Sequence, residues 1–222
     1  LKLVFQFYTA LRQLGLDVDV VSQNAPLDGY RLVIVPSLPI VSDVALKNFS
    51  TCRGIVVFGP RSGSKTKTFQ IPKELPPGSL QKLLPMKIVR VESIGSENGE
   101  RISWHGREYP TNLWKEWIET DLEPEALWAE GEPAVVHSGS YYYLGFWPSE
   151  TFLVDFFEVL ARKAGLVPAR LPPGMRLRRR GRLVFAFNFT NEVRKAPVPP
   201  GADLLIGGTE LNPHDVAVWK EK

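Results

Sequence analysis

The sequence predicts an α/β fold in residues 1–169, with a parallel sheet, helices on both of its faces and antiparallel β insertions. A small antiparallel β domain is predicted to follow in residues 170–222. Helical periodicity alternates with continuous apolar runs up to about residue 60, which is the order of elements in a parallel sheet. Short aromatic segments separated by turn residues come next, as in antiparallel hairpins. The proline-rich segment "VPARLPPGM" then precedes three more strand-like segments.

The first elements are a helix and a strand. The helix is predicted over residues 3–14, because apolar residues recur at helical spacing and Gly15 can supply the left-handed stop. The segment "LDVDVV", residues 16–21, alternates apolar and acidic residues, which predicts a strand with one polar face. The predicted inward face of the helix consists of Val4, Tyr8, Leu11 and Leu14.

Two continuous apolar runs flank the next helix. "RLVIVPSL" and "GIVVFG" predict strands that are covered on both faces. Ser42 is placed to cap the helix between them. The predicted inward positions of that helix are Val44 or Ala45, Leu46 and Phe49.

The middle of the chain reads as short antiparallel strands inserted into or appended to the first sheet. The predicted strands lie in "MKIVRVESI", "ERISWHGREYPT", "LWKEWIETD", "ALWAEGEPAVVHSG" and "YYYLGFW". Ser149 then caps a helix that Gly165 ends, with Phe152, Phe156, Val159 and Leu160 facing inward. In the small C-terminal domain, strands are predicted in "RLVFAFNFT", "ADLLIGG" and "DVAVWK", with a hairpin turn at Arg180-Gly181.

Composition bounds the possible functions. The chain has 222 residues, 44 % hydrophobic and 23 % charged, so it can bury a sizeable core. A net charge of +3 with interspersed signs is not the footprint of a nucleic-acid-binding protein. A single cysteine rules out an internal disulfide. No apolar run approaches the roughly 20 residues that span a bilayer and no signal peptide is evident, so we expect a cytoplasmic protein without a membrane partner.

The segment "GPRSGSKT", residues 59–66, superficially matches a phosphate-binding loop. The pattern requires glycine directly before Lys65-Thr66, and that position is Ser64. The following "KTFQIPKELPPG" contains three prolines where a helix should begin. We therefore predict a surface loop after a buried strand.

Cys52 is the candidate nucleophile of a flavodoxin-like enzyme of the glutamine amidotransferase type. It lies before its strand rather than on the turn after it, and no G-x-C-x-G surrounds it. A passive cysteine is the favoured interpretation. The histidines at positions 105, 137 and 214 lack metal-ligand spacing, so solvated turn residues are expected. A solvated face is likewise expected for the carboxylates Glu116, Glu119, Asp121, Glu123 and Glu125.

Two further clusters leave alternatives open. The run "RLRRRGR" could grip phosphates, but it has no interleaved aromatics and is diluted by nearby acids. Its arginines are Arg176, Arg178, Arg179, Arg180 and Arg182. Five tryptophans are close together in sequence, and core packing and a protein interface are equally good explanations of them. They are Trp104, Trp114, Trp117, Trp128 and Trp147.

Five segments in order resemble the β-galactosidases of glycoside hydrolase family 42. They are "FYTALRQLGLDVDVV", "YRLVIVPSLPIVSDVAL", "IVVFGPRSG", "ETFLVDFFEVLARKAGL" and "RRRGRLVFAFNFTNE". The resemblance implies an N-terminal barrel, a middle domain that forms trimers and looks like a glutamine amidotransferase without its nucleophile, and a small C-terminal β domain. This chain is similar to the second and third parts only. It departs from the family in a shorter helix between Ser42 and Cys52 and in "STCRG" before the next strand.

The resemblance places both catalytic glutamates of the family in the barrel. We therefore predict no catalytic, cofactor-binding or metal-ligating residue in this chain, and no cofactor. Its expected function is assembly and support, with self-association as a trimer and with the absent barrel as partner. The first residue is Leu1 rather than Met, which suggests a piece of a longer protein. The alternatives are a free-standing amidotransferase-like enzyme using Cys52 and a nucleic-acid module using residues 176–182.

Overall fold

The computed structural model describes residues 1–95 and 99–221. They form two units, a larger one with residues 1–7 and 21–166 and a smaller one with residues 8–20 and 167–222. The first helix, α1 (Lys2–Gln13), begins in the larger unit, and its second half is assigned to the smaller unit. The sequence-based boundary after residue 169 stays a prediction. None of the helices in the described ranges is long and apolar enough to cross a bilayer.

The larger unit contains a seven-stranded mixed sheet. Its strands are β1 (Leu32–Val35), β2 (Ile55–Phe58), β4 (Glu100–Trp104), β5 (Arg107–Thr111), β7 (Pro124–Trp128), β8 (Pro133–Ser138) and β9 (Tyr141–Leu144). Their spatial order is β1-β2-β9-β8-β7-β4-β5. The pairs β1–β2 and β2–β9 are parallel, whereas the pairs from β9 to β5 are antiparallel. The predicted α/β class with appended antiparallel strands is confirmed.

A second, two-stranded sheet in the larger unit pairs β3 (Met86–Glu92) with β6 (Lys115–Thr120) in antiparallel orientation. A short 3₁₀ helix, Gly78–Lys82, precedes it. A hairpin turn at His105-Gly106 joins β4 to β5, and both turn residues have positive φ, 49° and 73°. This turn geometry suits the right-handed twist of the strands.

Two capped helices complete the larger unit. They are α2 (Asp43–Thr51) and α3 (Glu150–Lys163). As predicted, the Oγ of Ser42 accepts a hydrogen bond from the Ala45 amide at 3.0 Å, and Ser149 caps α3 in the same way. Gly165 follows α3 with φ +71°.

The Ser42 cap allows a first prediction. Ser42→Ala should lower the unfolding free energy by about 1 kcal/mol, because an amide in the first turn of α2 loses its acceptor. Urea unfolding of the variant and the parent protein measures the difference. Ser50→Ala is the control, because the Ser50 hydroxyl is exposed and donates only to Lys47 within the same helix. An equal loss in both variants would contradict a specific capping role.

Three sequence-based expectations were wrong. Residues 16–21 form no strand, and Val20 is exposed, because this segment has no strand to pair with. Val4 and Tyr8 of the predicted inward face of α1 are exposed, whereas Leu11 and Leu14 are buried as predicted, together with Leu3, Phe7 and Ala10. Val159 of α3 is 40 % exposed, so its neighbours Phe156 and Leu160 define the buried stripe.

The core of the larger unit is rich in aromatic rings. Phe152 of α3 packs edge-on against Trp104, Tyr109 and Phe146, and it stacks on Phe156 at 5.2 Å. A second cluster lies between α2 and the parallel strands, and includes Ala45, Phe49, Val56, Phe58 and Tyr143. Burial of this apolar area supplies most of the driving force for folding.

The smaller unit contains a four-stranded antiparallel sheet in the order β10-β11-β15-β13. Its strands are β10 (Met175–Arg180), β11 (Leu183–Asn188), β13 (Asp203–Ile206) and β15 (Val216–Lys220), and a short pair is formed by β12 (Arg194–Lys195) and β14 (Glu210–Leu211). The three predicted strands are confirmed. The hairpin turn consists of Gly181 and Arg182, one residue later than predicted, because Arg180 is the last residue of β10. Buried Asn188 donates to the carbonyl oxygens of Glu192, Leu211 and Asn212, which ties the loops to the sheet.

Candidate functional site

The loop at the carboxyl end of β2, residues 59–63, is a tightly packed turn. Ser62 is buried, and its hydroxyl donates to the Gly59 carbonyl and accepts from the Leu38 amide. At Gly63, φ is +68° and an added Cβ would lie 1.9 Å from the Pro77 carbonyl oxygen. Residues 59–77, all of them described, contain no helix. The loop therefore lacks the helix N-terminus that a phosphate-binding loop requires.

Arg61 occupies the middle of this loop in an unusual conformation. Its φ is +67°, a value that is uncommon for a residue with a Cβ atom. The spacing Gly59-x-Arg61-x-Gly63 is that of a nucleophile elbow on the turn after a strand, but the central residue is an arginine. Its guanidinium lies 5.2 Å from the centroid of the Trp114 ring. The loop thus presents a cation rather than a nucleophile at the carboxyl edge of the parallel strands.

The side chain of Glu116, in β6, anchors this loop by hydrogen bonds. Its side chain is buried, although the sequence predicted a solvated carboxylate. Its Oε1 accepts hydrogen bonds from the Arg61 amide at 2.9 Å and from the Trp114 indole Nε1 at 3.0 Å, and its Oε2 accepts from the Tyr143 hydroxyl at 2.8 Å. All three partners are donors, so the carboxylate is satisfied without an ion pair.

Burial and hydrogen bonding act on Glu116 in opposite directions. Burial raises the pKa of its carboxyl group, while the bonds from Trp114, Tyr143 and the Arg61 amide lower it, and burial has the larger effect. The pKa of the Tyr143 phenol is raised well above its ordinary value by burial and by the nearby carboxylate. The phenol therefore stays protonated and available as a donor.

Lys115, the residue before Glu116, fills an aromatic cage. Its Nζ lies 4.4 Å from the ring centroid of Trp117 and 4.3 Å from that of Trp128, and it is 2.8 Å from the Glu100 carboxylate. Only 3 % of this side chain is exposed. The desolvated ammonium is stabilised by two aromatic faces and by the carboxylate.

Lys115 was not predicted as a site residue from the sequence, and the prediction of a solvated Glu116 was wrong. The available signal was the segment "WKEW", in which two adjacent charges are flanked by tryptophans within a strand. A charged pair in such a setting points to a covered strand whose charges find partners elsewhere.

The five tryptophans divide between core and partly exposed positions. Trp104 and Trp128 are buried, which supports core packing for these two. The indole Nε1 of Trp104 donates to Glu125, and that of Trp147 donates to the Gln6 side chain at 2.7 Å. Trp114, Trp117 and Trp147 are half-buried.

The remaining carboxylates and histidines lie in different environments. Glu119, Asp121 and Glu123 are exposed, as expected. Glu125 is mostly buried, and its two oxygens lie 3.6 Å from the Nε2 atoms of His105 and His137. His137 lies in β8 and stacks on Tyr142, so the prediction of a turn was wrong for it, whereas it holds for His105 and His214. Within residues 1–95 and 99–221, no three His, Cys, Asp or Glu side chains could hold a metal ion.

Cys52 follows α2 as its C-cap and is half-buried. It precedes β2, as predicted, and the elbow after that strand contains Arg61 instead.

The arginine run lies along β10 and has neighbours that sequence analysis missed. Arg178 and Arg179 lie within 4 Å of Asp17, and Arg179 also approaches Glu221. The run itself contains no aromatic residue, but Arg176 is paired across the sheet with Phe187 and Arg178 with Phe185. Strand pairing, which the sequence does not display, brings these rings beside the arginines.

A mixed α/β unit and a small antiparallel β unit, with an arginine at the elbow and buried charges tied to neighbouring backbone and rings, define the chain as a pair consisting of an α/β domain and an all-β domain. A family model described as "Beta-galactosidase trimerisation domain" matches residues 1–167, and one described as "Beta-galactosidase C-terminal domain" matches residues 174–221. The chain belongs to the glycoside hydrolase family 42 β-galactosidases, of which it contains these two domains.

The relatives agree with this assignment. The chain is 53 % identical over 221 residues to β-galactosidase BgaA of Thermus sp, covering 100 % of this chain and 34 % of that protein. It is 30 % identical to β-galactosidase BgaH of Haloferax lucentense, covering 96 % of this chain and 34 % of that protein. The crystal structure of β-galactosidase from the psychrophilic Marinomonas ef1 matches with a TM-score of 0.95 and 36 % identity, covering 99 % of this chain and 33 % of that one. The chain thus spans about a third of the length of these relatives.

Proposed function

We propose that this chain is the assembly and support portion of a family 42 β-galactosidase, with catalysis carried out by a part of the enzyme outside these residues. The observation that carries the proposal is the match of residues 1–167 to a trimerisation domain and of residues 174–221 to a C-terminal domain. The chain would contribute a flavodoxin-like domain and a small β domain to a cytoplasmic enzyme. The whole enzyme would hydrolyse terminal β-D-galactosides with retention, through two carboxylates about 5 Å apart.

The hydrogen bonds of the buried carboxylates favour a structural role for these side chains. Both oxygens of Glu116 already accept hydrogen bonds from the protein. Asp155 of α3 accepts from the Arg107 guanidinium at 2.6 Å and from the Tyr109 hydroxyl at 2.8 Å. Carboxylates tied in this way hold structure together and are poorly placed to attack a glycoside or protonate it. In this proposal no residue of the chain acts in catalysis or binds a cofactor or a metal.

A loop with exposed apolar side chains suits self-association. Phe69 is 72 % exposed and Ile71 is 62 % exposed. The loop is ordered by its own hydrogen bonds, since the Thr66 amide donates to the Gln70 carbonyl and the Phe69 amide to the Thr66 carbonyl. Large apolar side chains held in solvent by an ordered loop are typical of protein interfaces. We propose that a second copy of the chain covers this loop in a trimer.

The catalytic part of the proposal predicts an inactive chain. Purified from a host without β-galactosidase, the chain should not hydrolyse a chromogenic galactoside, because the two reacting carboxylates lie elsewhere in the enzyme. The full-length enzyme is the positive control. Turnover that co-purifies with the chain and disappears with a point change in its own residues would refute the proposal.

The proposed trimer is tested by measuring the molecular mass of the chain in solution. Light scattering after size-exclusion chromatography should give three times the chain mass, and Phe69→Ser with Ile71→Ser should shift the population toward monomer, because the apolar contact is lost. Val193→Ser is the matched control, since Val193 is also exposed but lies in the smaller unit. A monomer at high micromolar concentration, or equal effects of both variants, would speak against the proposed interface.

A further inference from the structure

We propose that the larger unit has an anion-binding groove for a small molecule that carries a phosphate or carboxylate group. The groove lies at the amino ends of β1, β2 and β9 and has a volume of about 600 Å³. That volume is within the usual range for small-molecule sites. Its lining includes Arg31, Arg53 and Lys163, and we call it the cationic groove. The inference does not depend on the proposed assembly role.

The backbone fixes the two arginines at one edge of the sheet. Arg31 directly precedes β1, and Arg53 comes two residues before β2. Leu32 and Ile55 are partners in the parallel pair, and the Ile55 amide donates to the Arg31 carbonyl at 2.9 Å. The two arginines therefore line the groove from the segments that lead into two adjacent strands.

Gly54 lets these segments approach closely. A Cβ at this position would lie 2.4 Å from the Tyr30 carbonyl oxygen and 2.6 Å from the Arg31 carbonyl oxygen. No side chain fits at that spacing, so the glycine allows the floor of the cationic groove to form.

Hydrogen bonds to neutral groups hold Arg31 and Lys163, and the charge of Glu125 adds a favourable interaction with Lys163. An Nη1 of Arg31 donates to the Gly165 carbonyl at 2.6 Å. The Nζ of Lys163 donates to the Tyr142 hydroxyl at 2.7 Å, and this bond raises the pKa of Lys163, which keeps the ammonium charged at neutral pH. Both side chains are thus held in place by hydrogen bonds.

The charge of the cationic groove is not balanced from within. Asp28 is the single carboxylate among its lining residues, against three cations. In the described part of the chain, none of these three cations forms an ion pair, and the Arg53 guanidinium has no hydrogen-bond partner. Arg107, by contrast, is paired with Asp155 at 2.6 Å. Clustered like charges in a concave site raise the local concentration of anions, and guanidinium groups bind oxyanions through paired hydrogen bonds.

Cys52 supplies a reporter inside the cationic groove. It lines the groove next to Arg53 and is the single cysteine of the sequence, so every alkylation event reports on this site. The rate with iodoacetate, an anion, divided by the rate with neutral iodoacetamide, measures the local potential. Thiol accessibility affects both rates alike and cancels in the ratio.

The experiment compares this ratio with that of a small cysteine peptide at low ionic strength. We expect the ratio on the chain to be about threefold or more above that of the peptide. Arg53→Gln and Arg31→Gln should each lower it, and Lys67→Gln, whose lysine is paired with Asp43 outside the groove, should not. Millimolar phosphate or citrate should slow iodoacetamide more than sodium chloride of equal ionic strength does. The two anions show whether a phosphate or a carboxylate ligand fits better.

Three results would overturn the proposal. The first is a ratio equal to that of the peptide. The second is protection by phosphate and citrate that sodium chloride reproduces at equal ionic strength. The third is equal protection of the parent chain and of Arg53→Gln, with thermal unfolding showing that the variant is folded.

Discussion

Replacing Glu116 with alanine should lower the unfolding free energy of the larger unit by about 3–5 kcal/mol. The change removes the acceptor of the partly buried Arg61 amide and Trp114 indole, and it leaves the Tyr143 hydroxyl buried without its acceptor. It also opens a cavity below the 59–63 loop. Such a loss is a large share of the 5–15 kcal/mol that is typical of globular proteins. Guanidinium unfolding followed by tryptophan fluorescence measures it.

Glu116→Gln separates hydrogen bonding from charge. The amide oxygen can accept from the Arg61 amide and the Trp114 indole, and the amide nitrogen can donate to the Tyr143 hydroxyl, so we expect a loss of less than about 1 kcal/mol. The pKa of Glu116 is raised in the folded state, so its carboxyl favours folding below the ordinary value of 4.5 and loses this contribution as the pH rises through the folded-state pKa. The unfolding free energy of the glutamine variant, relative to that of the parent protein, should therefore increase as the pH rises over that interval.

Glu119→Ala is the matched control for both Glu116 variants, because Glu119 lies on the same strand and is exposed. It should change stability by less than about 0.5 kcal/mol. If Glu116→Gln proved as unstable as Glu116→Ala, or if its difference from the parent protein did not vary with pH, the account of a neutralisable buried carboxylate would be wrong.

Replacing Lys115 with alanine should lower the unfolding free energy by about 2–4 kcal/mol. The variant removes the ammonium from between Trp117 and Trp128 and leaves a void where the side chain was. Glu100 and Glu130 also lose their partner, but their side chains are 28 % and 58 % exposed, so water can solvate them. The loss should therefore come mainly from the emptied cage, and the same fluorescence-detected unfolding measures it.

Lys115→Met tests how much of the effect is charge. Methionine fills a similar volume without the ammonium, so we expect about half of the loss seen with alanine. Lys87→Ala is the control, since Lys87 is exposed on the strand that pairs with β6. If the methionine variant matched the parent protein in stability, the cage would depend on packing alone and the cation–π contribution would be absent.

Elements with local signals were predictable from the sequence. The caps at Ser42 and Ser149, the stop at Gly15 and the hairpin at His105-Gly106 each depend on residues within a few positions of one another. The strand β2 is fully buried, and its uninterrupted apolar residues were enough to predict a strand covered on both faces. β1 was predicted from the same signal, but it is an edge strand and only half-buried.

The candidate site was not predictable because its contacts join residues that are far apart in the sequence. Glu116 is buried because Arg61 and Tyr143, distant in sequence, supply donors to it. Lys115 is buried because Trp128 comes from another strand. The predicted strand at residues 16–21 failed in the same way, since alternation describes a strand with a partner and this segment has none. Local patterns indicate which residues could be covered, and only the long-range pairing decides which are.

β9 joins the two halves of the larger sheet, parallel to β2 on one side and antiparallel to β8 on the other. Its pairing with β2 brings Val56 to Tyr141, two residues far apart along the chain. Closing so long a loop is entropically unfavourable, so this contact should form late and should limit the folding rate. A polypeptide that ends before residue 141 would leave the inner edge of β2 open, where a strand from another molecule could add. During synthesis, the chain is thus prone to aggregation until β9, about two thirds of the way along it, has emerged.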